Sequence, residues 1–247
     1  MQPIELVVFD MAGTTVTDHH EVEQCFAEAA AETGLFVTDK RILAVQGLSK
    51  RNVFEMLWKE TLGESHPDLT RQVDFSYTVF QRILENHYLT HDVMPTPGCL
   101  ELFDYLRQRG IAIALTTGFY RKITDTILQK LGWLTGLDNR RMGSPNSIIQ
   151  LSIASDEVKK GRPYPYMIER AIEWLGVSSP KAVVNIGDTP SDLVSGRAAG
   201  VVLNLGVTNG THSREQLEVY PHDKLLESLH ELPDLLSARQ ATAPKVG

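Results

Sequence analysis

The chain has 247 residues, 42% apolar and 22% charged, with a formal net charge of -7 at pH 7, a globular composition with room for one or two domains. The acidic balance argues against a nucleic-acid partner, which calls for a basic face, and no apolar run approaches the roughly eighteen residues of a membrane span. Cys25 and Cys99 are isolated, which excludes a disulfide framework, and the amino terminus lacks a secretory pattern, so the cytoplasm is the expected location.

In chain order, the apolar run Ile4-Glu5-Leu6-Val7-Val8-Phe9 reads as a strand that ends on Asp10-Met11-Ala12-Gly13-Thr14-Thr15. Residues 20–33 then read as a helix stopped by Gly34, and apolar residues at three and four spacing predict helices near 39–46, 50–62 and 68–90. No strand pattern interrupts them. The stretch 18–93 is therefore expected to be an all-helical cap, with a hinge at Pro95-Thr96-Pro97-Gly98. Beyond it, strand and helix signals alternate: a helix at 98–109, a strand Ile111–Leu115, a helix at 119–131, a weaker strand near 148–153 and a helix near 164–175. The strand Ala182–Ile186, a helix near 190–198 and the strand Val201–Leu205 follow. This alternation predicts an α/β fold, a doubly wound, Rossmann-like parallel sheet formed by 1–17 and 94–238. Residues 239–247 read as a flexible polar tail.

In such sheets ligands sit outside the carboxyl ends of the strands, so the loops at 10–15, 116–118 and 187–192 should converge on one crevice. Gly187-Asp188-Thr189-Pro190-Ser191-Asp192 places two carboxylates where a helix begins. Taken alone, Asp188 reads as an N-cap and Asp192 as a solvated first-turn residue. Converging with Asp10, they would repel an anionic substrate without a cation, and hard oxygen donors suit Mg²⁺. The expected ligands are Asp10, Asp188 and the backbone carbonyl of Ala12. Thr116-Thr117-Gly118 offers hydroxyl and backbone donors, and Lys159-Lys160-Gly161-Arg162 supplies positive charge for a phosphoryl group. Ester phosphatases that open on Asp-x-Asp use the second Asp to protonate the leaving alcohol, and here that position is Ala12. A leaving group that needs no such proton is implied. His87 and His91 have metal-ligand spacing but lack the accompanying Glu of a zinc motif.

These elements in this order, with a helical insertion after the first, resemble the haloacid dehalogenase superfamily. Asp-x-Ala-Gly-Thr-Thr, Thr-Thr-Gly-Phe, Gly-Arg-Pro-Tyr-Pro and Gly-Asp-Thr-x-Ser-Asp are most similar to its phosphonatase, or phosphonoacetaldehyde hydrolase, branch. The resemblance implies that Asp10 is the nucleophile, that Thr117 and Gly118 hold the phosphoryl group and that Arg162 holds charge. It also implies that Asp188 binds Mg²⁺ and Asp192 supports the metal. Gln46-Gly47-Leu48-Ser49-Lys50 resembles the phosphonatase cap loop, in which a lysine forms a Schiff base with the substrate aldehyde, and Lys50 falls on that position. Breaking a carbon–phosphorus bond leaves an electron pair on carbon, which a protonated imine can absorb; Ala12 and Lys50 thus support each other.

The chain departs from the family pattern at three places. Gln46 stands where the cap loop carries Met, Val53 where it carries His, and His20 roughly where a Cys is expected. Gln46 and His20 are therefore expected substrate contacts, with His19 or His20 able to replace a proton-transfer group. The family implies a homodimer associated through the caps. The expected activity is Mg²⁺-dependent hydrolysis of a small phosphonate through an aspartyl-phosphate. The alternatives are a phosphatase of an ester, acyl phosphate or anhydride in which Lys50 only binds charge, and a non-catalytic binding protein.

Overall fold

The computed structural model describes residues 2–241. Strand β1 (Leu6–Asp10) is buried along its whole length, as a continuous apolar run covered on both faces requires. It lies at the centre of six parallel strands with β2 (Ala112–Thr116), β3 (Leu151–Ile153), β4 (Val183–Gly187), β5 (Leu203–Val207) and β6 (Lys224–Leu226), in the order β3-β2-β1-β4-β5-β6. The chain reverses its winding between β1 and β4, where Phe9 pairs with Ile186. Asp10, opposite Thr116 of β2, therefore emerges at the topological switch point.

Side chains alternate across the sheet. Val7 and Phe9 pack with Leu102, Phe103 and Leu106 of the helix Cys99–Gln108, whereas Leu6 and Val8 face Met167, Ile168 and Ala171 of the helix Tyr166–Trp174. Four helices intervene between β1 and the helix Cys99–Gln108: α1 (Glu21–Glu32), α2 (Asp39–Ala44), α3 (Lys50–Leu62) and α4 (Leu69–Thr90). They are followed by α5 (Cys99–Gln108), α6 (Arg121–Lys130), α7 (Tyr166–Trp174), α8 (Pro190–Ala199), the short α9 (Arg214–Leu217) and α10 (Leu232–Ala241).

Phe26 of α1 stacks on Phe54 of α3 with ring centroids 4.5 Å apart, and Phe80 of α4 meets both edge-on. A buried polar relay joins the same helices, in which Trp58 Nε1 donates to Ser76 Oγ at 2.9 Å and Ser76 donates to Thr33 Oγ1 at 2.9 Å. The α4 helix rests on the sheet side of the molecule, where Tyr120 donates to Glu85 at 2.9 Å and Lys122 pairs with it at 2.6 Å. The two crossings between the halves run side by side. Thr17 N donates to Met94 O at 2.9 Å, Thr96 N to Thr15 O at 3.0 Å and Thr96 Oγ1 to Thr14 O at 2.7 Å.

Three elements carry too little pattern to read from sequence. Strand β6 has three residues, α9 has four, and the polar-looking start of the tail, 239–241, forms the last turn of α10. The rest of the tail expected at 239–247 lies outside the described residues. No helix among the described residues is long and apolar enough to cross a membrane.

Candidate active site

The sheet places Asp10 at the end of β1, 5% exposed. The turn after it needs Gly13, whose φ is +83° and where a Cβ would stand 2.1 Å from Asp188 Oδ2. Asp188 follows β4 and accepts from the backbone N–H of Thr211 at 2.7 Å and from Thr14 Oγ1 at 3.1 Å. Asp192 is the third residue of α8 and is buried instead of solvated, and the N-cap is Thr189, not Asp188: Asp192 Oδ2 accepts from the Thr189 N–H at 3.1 Å and from Thr189 Oγ1 at 2.6 Å, tying the first turn back to the cap residue as in a capping box. The other Asp192 oxygen is turned to the crevice. Carboxylate oxygens of Asp10, Asp188 and Asp192 all lie within 4.8 Å of one another.

Arg162 is buried among them. Its Nη1 reaches Asp10 Oδ1 at 2.5 Å and Asp192 Oδ1 at 2.8 Å, while Nη2 donates to Thr116 O at 2.8 Å and Thr116 Oγ1 at 2.9 Å. With all three carboxylates ionised, one guanidinium leaves a surplus of two negative charges in a buried site. Burial consequently drives Asp10 well above the usual carboxylate range, against the pull of Arg162 and with the push of Asp192 and Asp188. Burial and the Asp192 charge raise Asp188 to about 6. This donor set fits a hard divalent cation, whose charge offsets that surplus.

The helical half closes over the site. Gly47, at φ +76°, seats the loop 46–49 on the strand-end loops: a Cβ there would lie 2.3 Å from Ser191 Oγ and 2.4 Å from Thr189 Oγ1. From the other side, a Cβ on Gly118 would lie 2.8 Å from Gly47 O. Directly after this loop, Lys50 opens α3 and is 6% exposed. Its ammonium donates to Gln46 Oε1 at 2.9 Å, and burial lowers it to about 8 against the opposing pull of Asp18, Glu23 and Asp10. Asp10, Ala12, Gln46, Lys50, Thr117 and Gly118 line one cleft of about 380 Å³.

Of the residues singled out from sequence, Asp10, Arg162, Asp188 and Asp192 thus meet at one point, and Asp10 lines the cleft with Ala12, Gln46, Lys50, Thr117 and Gly118. His20 does not join them. It sits in a left-handed conformation, φ 69°, with a largely exposed ring 3.2 Å from Glu23 Oε1; His19 is exposed beside it. Asp18, which sequence reasoning passed over, lines the cleft instead. Burial and the neighbouring Glu21 carboxylate raise it to about 8, and its Oδ1 accepts from the Glu21 N–H at 3.0 Å. Thr211 also lines the cleft. Its signal was available, since Asn209-Gly210-Thr211 follows β5 at the same edge of the sheet.

A family model for haloacid dehalogenase-like hydrolases matches residues 4–200. Phosphonoacetaldehyde hydrolase of Bacillus cereus (strain AH187) is 32% identical over 209 residues, covering 80% of this chain and 74% of that protein. The protein of the same name from Bacillus thuringiensis (strain Al Hakam) is 32% identical over 243 residues, covering 92% of this chain and 85% of its own length. Among solved structures, a phosphonoacetaldehyde hydrolase like protein from Oleispira antarctica shares the fold with a TM-score of 0.74 at 18% identity, over 96% of this chain and 92% of that one. The chain belongs to the haloacid dehalogenase-like hydrolases, and within them it is similar to the phosphonoacetaldehyde hydrolases.

Proposed function

We propose that the protein is a Mg²⁺-dependent hydrolase of a small aldehyde phosphonate of the phosphonoacetaldehyde type, working through an imine on Lys50 and a phosphoryl group on Asp10. The observation that carries this reading is the common cleft: a buried amine and a buried carboxylate face the same space, and the intervening position 12 has no acid. Lys50, lowered to about 8, has a neutral fraction near one in ten at pH 7, against roughly one in several thousand for an ordinary lysine. Its lone pair adds to the aldehyde carbon, and loss of water leaves a protonated imine.

Asp10 Oδ1 is held by Arg162, so Oδ2 attacks phosphorus. The electrons of the carbon–phosphorus bond pass into the imine to give an enamine, which removes any need for a proton donor at position 12. Thr117 and Gly118 present hydroxyl and backbone donors to the phosphoryl oxygens. The Thr117 hydroxyl accepts from the Phe119 N–H at 3.1 Å, which leaves its own proton to donate. Asp10, the Ala12 carbonyl and Asp188 are the groups that would hold Mg²⁺, with Asp192 supporting them. Bound by these groups, the ion would supply the charge neutralisation that keeps Asp10 ionised against its burial. Closure by the 46–49 loop excludes bulk water while the imine persists; a proton then adds to the enamine carbon, one water releases the two-carbon aldehyde from Lys50, and a second water cleaves the acyl phosphate to regenerate Asp10 and inorganic phosphate.

Borohydride added during turnover of phosphonoacetaldehyde should attach the reduced two-carbon fragment to Lys50, located by peptide mass, and Lys50→Arg and EDTA should each abolish phosphate release. An unmodified lysine in a protein that releases phosphate from simple esters would replace this reading with the phosphatase one.

A further inference from the structure

Gln46 carries an unused donor. The residue is 7% exposed and lines the cleft, and its Nε2 is buried without a hydrogen-bond partner. Its orientation is fixed by chemistry: an ammonium has only donors, so the amide oxygen must face Lys50 Nζ, at 2.9 Å. The amide nitrogen, on the same carbon as that oxygen, is left without an acceptor. A buried donor in this state is costly, and a ligand acceptor relieves it.

We propose that the Gln46 amide grips the reacting centre at two points, Oε1 accepting from Lys50 Nζ–H and Nε2 donating to the substrate carbonyl oxygen as the amine adds. This rests on the imine reading above and assigns Gln46 a catalytic role within it. A carbinolamine carries its N–H and its oxygen on one carbon, and a primary amide carries its oxygen and N–H on one carbon. The two fit as a closed pair of hydrogen bonds. The ammonium first gives up one proton to solvent, and the Nζ lone pair then bonds to carbon while the C=O π pair moves onto oxygen. That oxygen collects a proton released from nitrogen. A further proton then lets the hydroxyl leave as water, and the nitrogen lone pair closes the C=N bond. Net, one ammonium and one aldehyde become one iminium and one water. Gln46 Nε2 stabilises the charge that develops on oxygen, as a preorganised donor does, and Oε1 keeps the surviving iminium N–H in place. A neutral amide suits both tasks. A carboxylate at position 46 would accept from Nζ but offer no donor, and it would hold the ammonium in its unreactive charged form.

The test is the initial rate at which borohydride traps phosphonoacetaldehyde on Lys50, followed by peptide mass in the unaltered protein, Gln46→Met and Gln46→Glu, with circular dichroism to check folding. Loss of one charge-stabilising hydrogen bond corresponds to about tenfold. Gln46→Met should therefore form the adduct about tenfold more slowly. Gln46→Glu should also be slower, with its trapping rate displaced to higher pH. Equal rates in the unaltered protein and Gln46→Met would overturn the role of Gln46 and leave the imine reading standing. No adduct in the unaltered protein would overturn the imine reading itself.

Discussion

Replacing Lys50 and Gln46 together by methionine should make the protein more stable while abolishing imine formation. Burial takes the Lys50 ammonium from 10.5 down to about 8. At about 1.36 kcal/mol for each pKa unit, carrying that charge in the folded protein costs on the order of 3 kcal/mol near neutral pH. Lys50→Met alone gives back only part of this, because it strands the Gln46 oxygen that accepts the ammonium, a loss of about 1–3 kcal/mol. The double substitution removes both polar partners and leaves apolar groups of similar volume. With about 2–4 °C per kcal/mol for a chain of this size, calorimetry at pH 7 should show a melting temperature higher by several degrees. The pH dependence is equally specific. Below about 8 both folded and unfolded chains hold the proton and the whole penalty is present; between about 8 and 10.5 only the unfolded chain holds it, so the unaltered protein gains stability with rising pH. The advantage of the double variant should vanish across that window. A double variant that melts lower at pH 7, or whose advantage ignores pH, would refute the claim that the cleft holds a destabilised ammonium.

Two further outcomes follow from the same geometry. The kcat/KM for phosphonoacetaldehyde should rise about tenfold per pH unit below 8 and level off above it, because the neutral amine is the nucleophile and burial sets its titration to about 8; a flat profile from 6 to 8 would contradict it. Gly47→Ala puts a Cβ 2.3 Å from Ser191 Oγ at a left-handed φ of +76°, a conformation costing an ordinary residue roughly 1–2 kcal/mol. The loop should no longer seat on the strand-end loops, so turnover should fall tenfold or more with Mg²⁺ affinity, measured by calorimetry, retained.

The strand-end chemistry was legible because a parallel sheet converts sequence order into spatial convergence. Asp10, Thr117 and Asp188 each follow an apolar run and each arrives at the switch point. The helical half was legible from spacing, as Val53, Phe54, Leu57 and Trp58 show by lying buried on one side of α3. What could not be read is side-chain direction in the linking loop. His19 and His20 carry the chemistry that attracts attention, yet the left-handed turn at His20 sends its ring outward toward Glu23, and the less conspicuous Asp18 faces the cleft. Asp192 shows where a first-turn reading falls short, since the side chain is buried and bonded on both oxygens. One oxygen holds Thr189 and the other meets Arg162, a division that sequence cannot reveal because it depends on a guanidinium thirty residues upstream in the chain.

The backbone pairing of Thr17 with Met94 and of Thr96 with Thr15 makes the two crossings a double-stranded stem instead of a pair of independent tethers. Bending such a stem is easy in the direction normal to its ladder, whereas twisting one crossing against the other breaks hydrogen bonds. A swing of the helical half would leave this ladder intact and a twist would break it, so the paired crossings hold Lys50 and Asp10 to one cleft. A cut in either crossing leaves the helical half attached by the uncut one, and the unbroken partner strand holds the severed end in register.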